Sequence, residues 1–60
     1  MEFTADEMVE ALRQIESMLA KLEKTLAGLS PTAVSQRTLA ERRIKALRIA
    51  QALVRRELAA

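Results

Sequence analysis

Gly28-Leu29-Ser30-Pro31-Thr32 is the only cluster of helix-breaking residues in this 60-residue chain, and it holds its one glycine and its one proline. The segments on both sides carry apolar residues at helical spacing, so the sequence predicts two helices joined by one turn. Gly28 is expected to close the first helix in a left-handed conformation. Ser30 is expected to cap the second helix, with Pro31 at its first position, and Ser35 is an alternative start.

Helix 1 is predicted over about 5–27 and has a complete start signal. Thr4 and Glu7 match a capping box, and Phe3 is placed to pack on Met8 as a hydrophobic staple. Apolar side chains then recur at alternating intervals of four and three residues, which is the heptad pattern of a coiled coil. This seam consists of Met8, Leu12, Ile15, Leu19, Leu22, Leu26 and Leu29.

Helix 2 is predicted over about 31–58 and carries a looser version of the same pattern. Its seam consists of Ala40, Ile44, Leu47, Gln51, Val54 and Leu58, and one flank is widened by Leu39, Ala46, Ala50 and Leu53. One neighbouring helix cannot cover so broad a face, and ordering a chain costs on the order of 1.5 kcal/mol per residue. We therefore expect residues 1–60 to form a single all-α domain, an antiparallel two-helix hairpin that assembles into a helical bundle as a homo-oligomer.

The composition argues against most enzyme classes. The chain has no cysteine and no histidine, which removes disulfides, thiolate nucleophiles, the usual general base and the commonest metal ligand. We therefore expect no catalysis, no cofactor and no metal site. Near the C-terminus, the longest stretch without a charge or a glycine is 49–54, far shorter than the roughly 20 apolar residues of a membrane span, and Met1-Glu2-Phe3 does not have the charge expected of a basic leader. A soluble, cytoplasmic protein without a membrane partner is expected.

Charge is divided unevenly between the two halves. Residues 2–29 hold six acidic and three basic side chains, a net charge of −3, whereas residues 30–60 hold seven basic and two acidic ones, a net charge of +5. Six of those seven are arginine, whose guanidinium binds phosphate through two parallel hydrogen bonds. The alternative is an ordinary solvated face that includes a Glu41–Lys45 pair.

Arg43 stands apart because the helical wheel places it in the middle of the apolar face of helix 2. A guanidinium buried there needs a partner, since an unpaired buried charge costs several kcal/mol. One possibility is an ion pair with Glu16 of helix 1. The other is an inter-subunit pocket in which Arg43, with Gln36 and Thr38, holds an anion. In that case Arg37, Arg42 and Arg48 are expected at the rim.

The stretch from Gln36 to Leu47 resembles a set of very short helical-hairpin proteins encoded in bacterial, largely Firmicute, and phage genomes. Their second helix reads approximately Q-H-T-L-L-K-N-R-I-K-A-L, and Arg37 and Arg42 replace its histidine and asparagine. The matching residues are Gln36, Thr38, Leu39, Arg43, Ile44, Lys45, Ala46 and Leu47. Phages also carry small oligomeric helical proteins that act as sponges for nucleotide signals of bacterial defence, and by analogy the resemblance implies such a role.

The main functional hypothesis is therefore a non-enzymatic homo-oligomer that sequesters a nucleotide-like, phosphate-bearing small molecule. Two alternatives remain. The hairpin is either an adaptor that docks on a partner protein through its leucine-rich face, or an RNA-binding hairpin with the architecture of the plasmid-copy-number protein Rop. Nucleic acid is the less favoured partner, because the chain lacks the aromatic side chains on which single-stranded bases stack.

Overall fold

The computed structural model describes residues 2–60 as two helices, α1 (Ala5–Gly28) and α2 (Val34–Ala59), packed against each other. Glu23 pairs with Arg48, and Glu16, seven residues earlier, pairs with Arg55, seven residues later, so the helices run antiparallel. The described chain contains no strand and forms a rod of 43 × 16 × 14 Å. The prediction of an all-α two-helix hairpin is confirmed.

The start of α1 follows the prediction. The Thr4 hydroxyl accepts a hydrogen bond from the Glu7 amide at 3.1 Å, and the Glu7 carboxylate accepts one from the Thr4 amide at 2.9 Å. The end of α1 does not, because Gly28 is helical and has no positive φ. The chain instead leaves the helix at Leu29, which is extended at φ −72° and ψ 141°. No left-handed residue is needed when the chain departs through an extended cap.

α2 begins at Val34, three residues beyond the predicted start at Pro31 and one residue before the alternative start at Ser35, and Ser30 does not cap it. The Ser30 carbonyl accepts from the Ala33 amide at 3.0 Å, and its hydroxyl bonds to Thr32, so residues 30–33 form a turn with Pro31 at its second position. Ala33 follows as the centre of an inverse γ-turn, with φ −83° and ψ 60°. The N-cap position of α2 is Ala33, whose side chain has no acceptor, and α2 begins without a side-chain cap.

The core follows the two predicted seams. Every predicted seam residue of both helices is at least half-buried, and the deepest are Leu19, 5% exposed, and Ala40, 7% exposed. The flank of α2 remains uncovered, since Leu39 is 46% and Leu53 56% exposed. Phe3 borders the same depression as Met8, yet 61% of it is exposed. One hairpin therefore buries a single narrow ribbon.

Neither helix, over the residues described, has the length and apolar character required to cross a bilayer.

Candidate functional site

Ion pairs join the two helices along one side of the seam, which we call the paired side. Arg48 donates to the Glu23 carboxylate at 3.1 Å, and Arg55 donates to the Glu16 carboxylate at 2.8 Å. Gln51 adds a longer hydrogen bond to the same Glu16 oxygen at 3.4 Å. All four charged side chains are about half exposed, so each pair contributes tenths of a kcal/mol to about 1 kcal/mol. The main effect of these pairs is to neutralise two arginines of α2.

The Arg43–Glu16 ion pair, one of the two possibilities considered for Arg43, is not formed, and Arg43 is not buried in the single hairpin. The Glu16 carboxylate is engaged by Arg55, and Arg43 is exposed and takes part in no ion pair within residues 2–60. The reason is the position of each arginine relative to the seam. Arg55 comes directly after the seam residue Val54, whereas Arg43 comes directly before Ile44. The two side chains therefore project from opposite sides of the seam, and only one side faces Glu16.

Arg43 lies on the other side of the seam, which we call the open face. Surface depressions follow one another along this face. Two of them, of about 480 and 300 Å³, share Leu22 and Arg43 and so form a continuous groove toward the turn. Lys21, Gln36 and Thr25 supply its other polar side chains. The third depression, of about 430 Å³, lies toward the chain ends and is lined by Phe3, Glu7, Met8, Ala11, Leu53, Val54 and Glu57. The open face is thus basic in one half and acidic in the other.

The residues of α2 on the open face form a second heptad seam. They recur at alternating intervals of three and four residues, just as the first seam does. Its members are Gln36, Leu39, Arg43, Ala46, Ala50, Leu53 and Glu57. The apolar members were predicted from the sequence only as a widened flank of the first seam. The signal available in the sequence was the regular interval, which continues through Gln36, Arg43 and Glu57. This signal was missed because these three residues are polar.

A fourth depression, of about 530 Å³, lies on the outer side of α2, away from α1. It is lined by Thr38, Glu41, Arg42, Lys45, Ala46 and Ile49. The predicted Glu41–Lys45 ion pair is not formed, because no ion pair of the described residues includes either side chain. Arg42 and Lys45 are therefore both available to an anion at this depression.

The six predicted site residues are distributed over four places. Gln36 and Arg43 share the groove of the open face, while Thr38 and Arg42 share the outer depression. Arg48 is held by Glu23, and Arg37 is half-buried near the turn. The structure therefore separates Thr38 from the Arg43 groove. Lys45 and Lys21 line these depressions and were not among the predicted site residues. Residues 2–60 contain no group of three or more side chains suited to hold a metal ion.

Fold and surface together describe an amphipathic helical hairpin whose second helix is basic and only partly covered. No protein-family model, no curated protein and no solved structure matches the chain. The resemblance of helix 2 to the short Firmicute and phage hairpins therefore stays a prediction.

Proposed function

We propose that the chain is a homo-oligomeric binding protein that holds a phosphate-bearing small molecule on α2 without making or breaking a bond in it. The observation that supports this function is the division of the basic side chains of α2. Arg48 and Arg55 are neutralised by carboxylates of α1, whereas Arg42 and Lys45 take part in no ion pair within residues 2–60 and line one depression. Two basic side chains of α2 that α1 does not neutralise thus line the same depression.

The outer depression has the chemistry that a nucleotide requires. Arg42 offers a fork of donors, Lys45 a compact charge and Thr38 a hydroxyl, all of which bind phosphate oxygens. Glu41 is an acceptor for sugar hydroxyls, the role that an acidic residue has in dinucleotide-binding folds. The half-exposed Ile49 supplies an apolar wall for a base.

Self-association is part of the proposal because a single hairpin leaves too much apolar surface in water. Only Leu19 and Ala40 are buried among residues 2–60, while Met18, Leu39 and Leu53 are between 44% and 56% exposed. A two-helix unit of this size gains little stability from so narrow a core. Packing the open faces of two copies together covers these side chains and leaves the outer depression accessible.

A thermal unfolding experiment tests the ligand. Helix content is followed by circular dichroism in the presence of cyclic nucleotides and ADP-ribose-type nucleotides, and native mass spectrometry looks for a small molecule retained during purification. A nucleotide that binds only the folded protein raises the melting temperature progressively with its concentration. The double variant Arg42→Gln, Lys45→Gln should abolish this shift. Arg13→Gln, which removes a charge from α1 far from the depression, should retain it.

The absence of any shift across the panel, together with no retained small molecule, would refute the ligand. Two other results would redirect the assignment. A shift that survives loss of Arg42 and Lys45 but not of Arg43 would move the ligand to the open face. A chain that ignores free nucleotides yet binds RNA with an affinity that falls steeply with salt would favour the RNA-binding hairpin.

A further inference from the structure

We propose that the occupant of the open face is a second copy of this chain, packed so that the two α2 helices run antiparallel to each other. This arrangement deepens the self-association in the proposed function and specifies its geometry. It makes Arg43 an interface residue and leaves the outer depression to the ligand.

The second heptad seam supplies the packing surface. A heptad seam on a helix pairs with another such seam, and α1 already occupies the first seam of α2. The small side chains of Ala46 and Ala50 stand at the middle of the second seam, with Leu39 and Leu53 on either side. A two-fold axis between Ala46 and Ala50 lays each alanine on the other alanine of the second copy. The helices then approach closely at the centre, and the leucines fill the flanks.

Charge selects the antiparallel direction. Arg43 lies toward the turn and Glu57 toward the chain ends, so each copy carries one charge of each sign on the same seam. Reversing the second copy about the central axis places the stem of Arg43 over Leu53 of that copy. The guanidinium then lies within one helical turn of its Glu57. Lys21 lies on the same half of the open face as Arg43, and Glu7 lies on the same half as Glu57. At each end of the antiparallel interface, two basic side chains of one copy therefore face two acidic side chains of the other.

A parallel arrangement of the two α2 helices would bring like charges together instead. It lays Arg43 on Arg43 and Glu57 on Glu57, and like charges placed opposite each other across an interface are strongly disfavoured. Such a dimer would need an anion between the two arginines, which is the inter-subunit pocket considered from the sequence. The antiparallel dimer satisfies the same guanidinium without any ligand.

A charge exchange measured by sedimentation tests the pairing. Arg43→Glu alone and Glu57→Arg alone should each weaken dimerisation at least tenfold, because each creates two like-charge contacts. The combined variant should recover most of the lost affinity. Arg13→Glu, which changes the same charge on α1 outside the open face, should leave the dimerisation constant within about twofold. Helix content of each variant shows that the hairpin itself is intact.

Distance measurement tests the direction independently. The chain has no cysteine, so Ser30→Cys places one label at the turn of each copy. At 1.5 Å per residue, the antiparallel dimer separates the two labels by on the order of 40 Å, whereas the parallel dimer brings them within about 20 Å.

Three results would overturn the proposal. These are a short distance between labels, a dimer that Arg43→Ala strengthens, and a chain that is monomeric at every concentration. A short distance would leave the nucleotide proposal standing, and the absence of a nucleotide shift would leave the antiparallel dimer standing. The two failures are therefore distinguishable.

Discussion

The two helices of this hairpin differ in how completely their capping, charged and apolar groups find partners within the hairpin. The first turn of α1 is closed by the Thr4–Glu7 capping box, and the central carboxylates Glu16 and Glu23 are bonded to α2. α2 begins without a side-chain cap, and within residues 2–60 most of its second seam stays exposed, with Ala50 as the half-buried member. The described residues therefore cap the start of α1 but leave the start and much of the second seam of α2 without partners.

The same comparison explains why net charge is a poor guide to function here. The formal charge of the whole chain is only +2. The fold uses some charges to join the helices and leaves others free, and the free ones determine what the surface can bind. Arg48 and Arg42 are both exposed arginines of α2, but only Arg42 is without a carboxylate from α1. The structure, rather than the sum of charges, therefore separates an arginine that joins the two helices from one that α1 leaves unpaired.

The largest expected effect comes from the core between α1 and α2, where the seams of the two helices meet. Leu19→Ala should lower the free energy of unfolding by about 2–5 kcal/mol, because it leaves a cavity at the most deeply buried leucine. For so small a protein, this loss is enough to unfold much of the population. Chemical denaturation followed by circular dichroism measures it at several protein concentrations.

The matched substitution on the open face is Leu53→Ala. Leu53 is 56% exposed in one hairpin, so its loss should matter little at protein concentrations where the hairpin is monomeric. At higher concentrations it should become destabilising, since the proposed dimer covers Leu53 and would also stabilise the fold. Equal losses for Leu53→Ala at all concentrations would contradict this difference between the first and the second seam.

An intermediate effect is expected at the start of α1. Thr4→Ala should cost about 1 kcal/mol, because it removes one half of the capping box and leaves the Glu7 amide without its acceptor. The counterpart is Ser30→Ala, which would cost as much if Ser30 capped α2. Ser30 instead bonds within the exposed turn, so its loss should cost only a few tenths of a kcal/mol. Comparable losses at the two positions would contradict the observed difference between the helix starts.

The fold was largely predictable because local rules and the heptad pattern agreed. The capping box located the beginning of α1 at Ala5, and the spacing of the apolar residues identified every buried or half-buried position of the two seams. The turn was predicted less well. Ser30 and Pro31 fit the start of a helix and the start of a turn equally well, and the choice depended on whether the Ser30 hydroxyl bonded to a helix amide or to Thr32.

The candidate site was predicted only in part, because a helical wheel does not show which flank the neighbouring helix favours. Arg43 and Arg55 both border the first seam, yet only Arg55 lies on the side of Glu16. Thr38 and Gln36 are two residues apart, which turns them about 200° from each other around the helix. The hypothesis of an inter-subunit pocket nevertheless grouped both with Arg43, and the structure places them at different depressions. Helical spacing alone was enough to separate Thr38 from Gln36, whereas the partner of Glu16 depends on how the two helices pack.

The smallest expected effect is the coupling free energy of a single ion pair, which should be measurable on the paired side and absent for Arg43 on the open face. A double-mutant cycle with Glu23→Gln and Arg48→Gln should give a coupling free energy of about 0.2–1 kcal/mol, since both side chains are half exposed. The coupling should shrink as salt is raised. The same cycle on Glu16 and Arg43 should give no coupling within a monomeric hairpin, because the Glu16 carboxylate is bonded to Arg55. A measurable Glu16–Arg43 coupling would return Arg43 to the paired side and would remove it from the interface between copies.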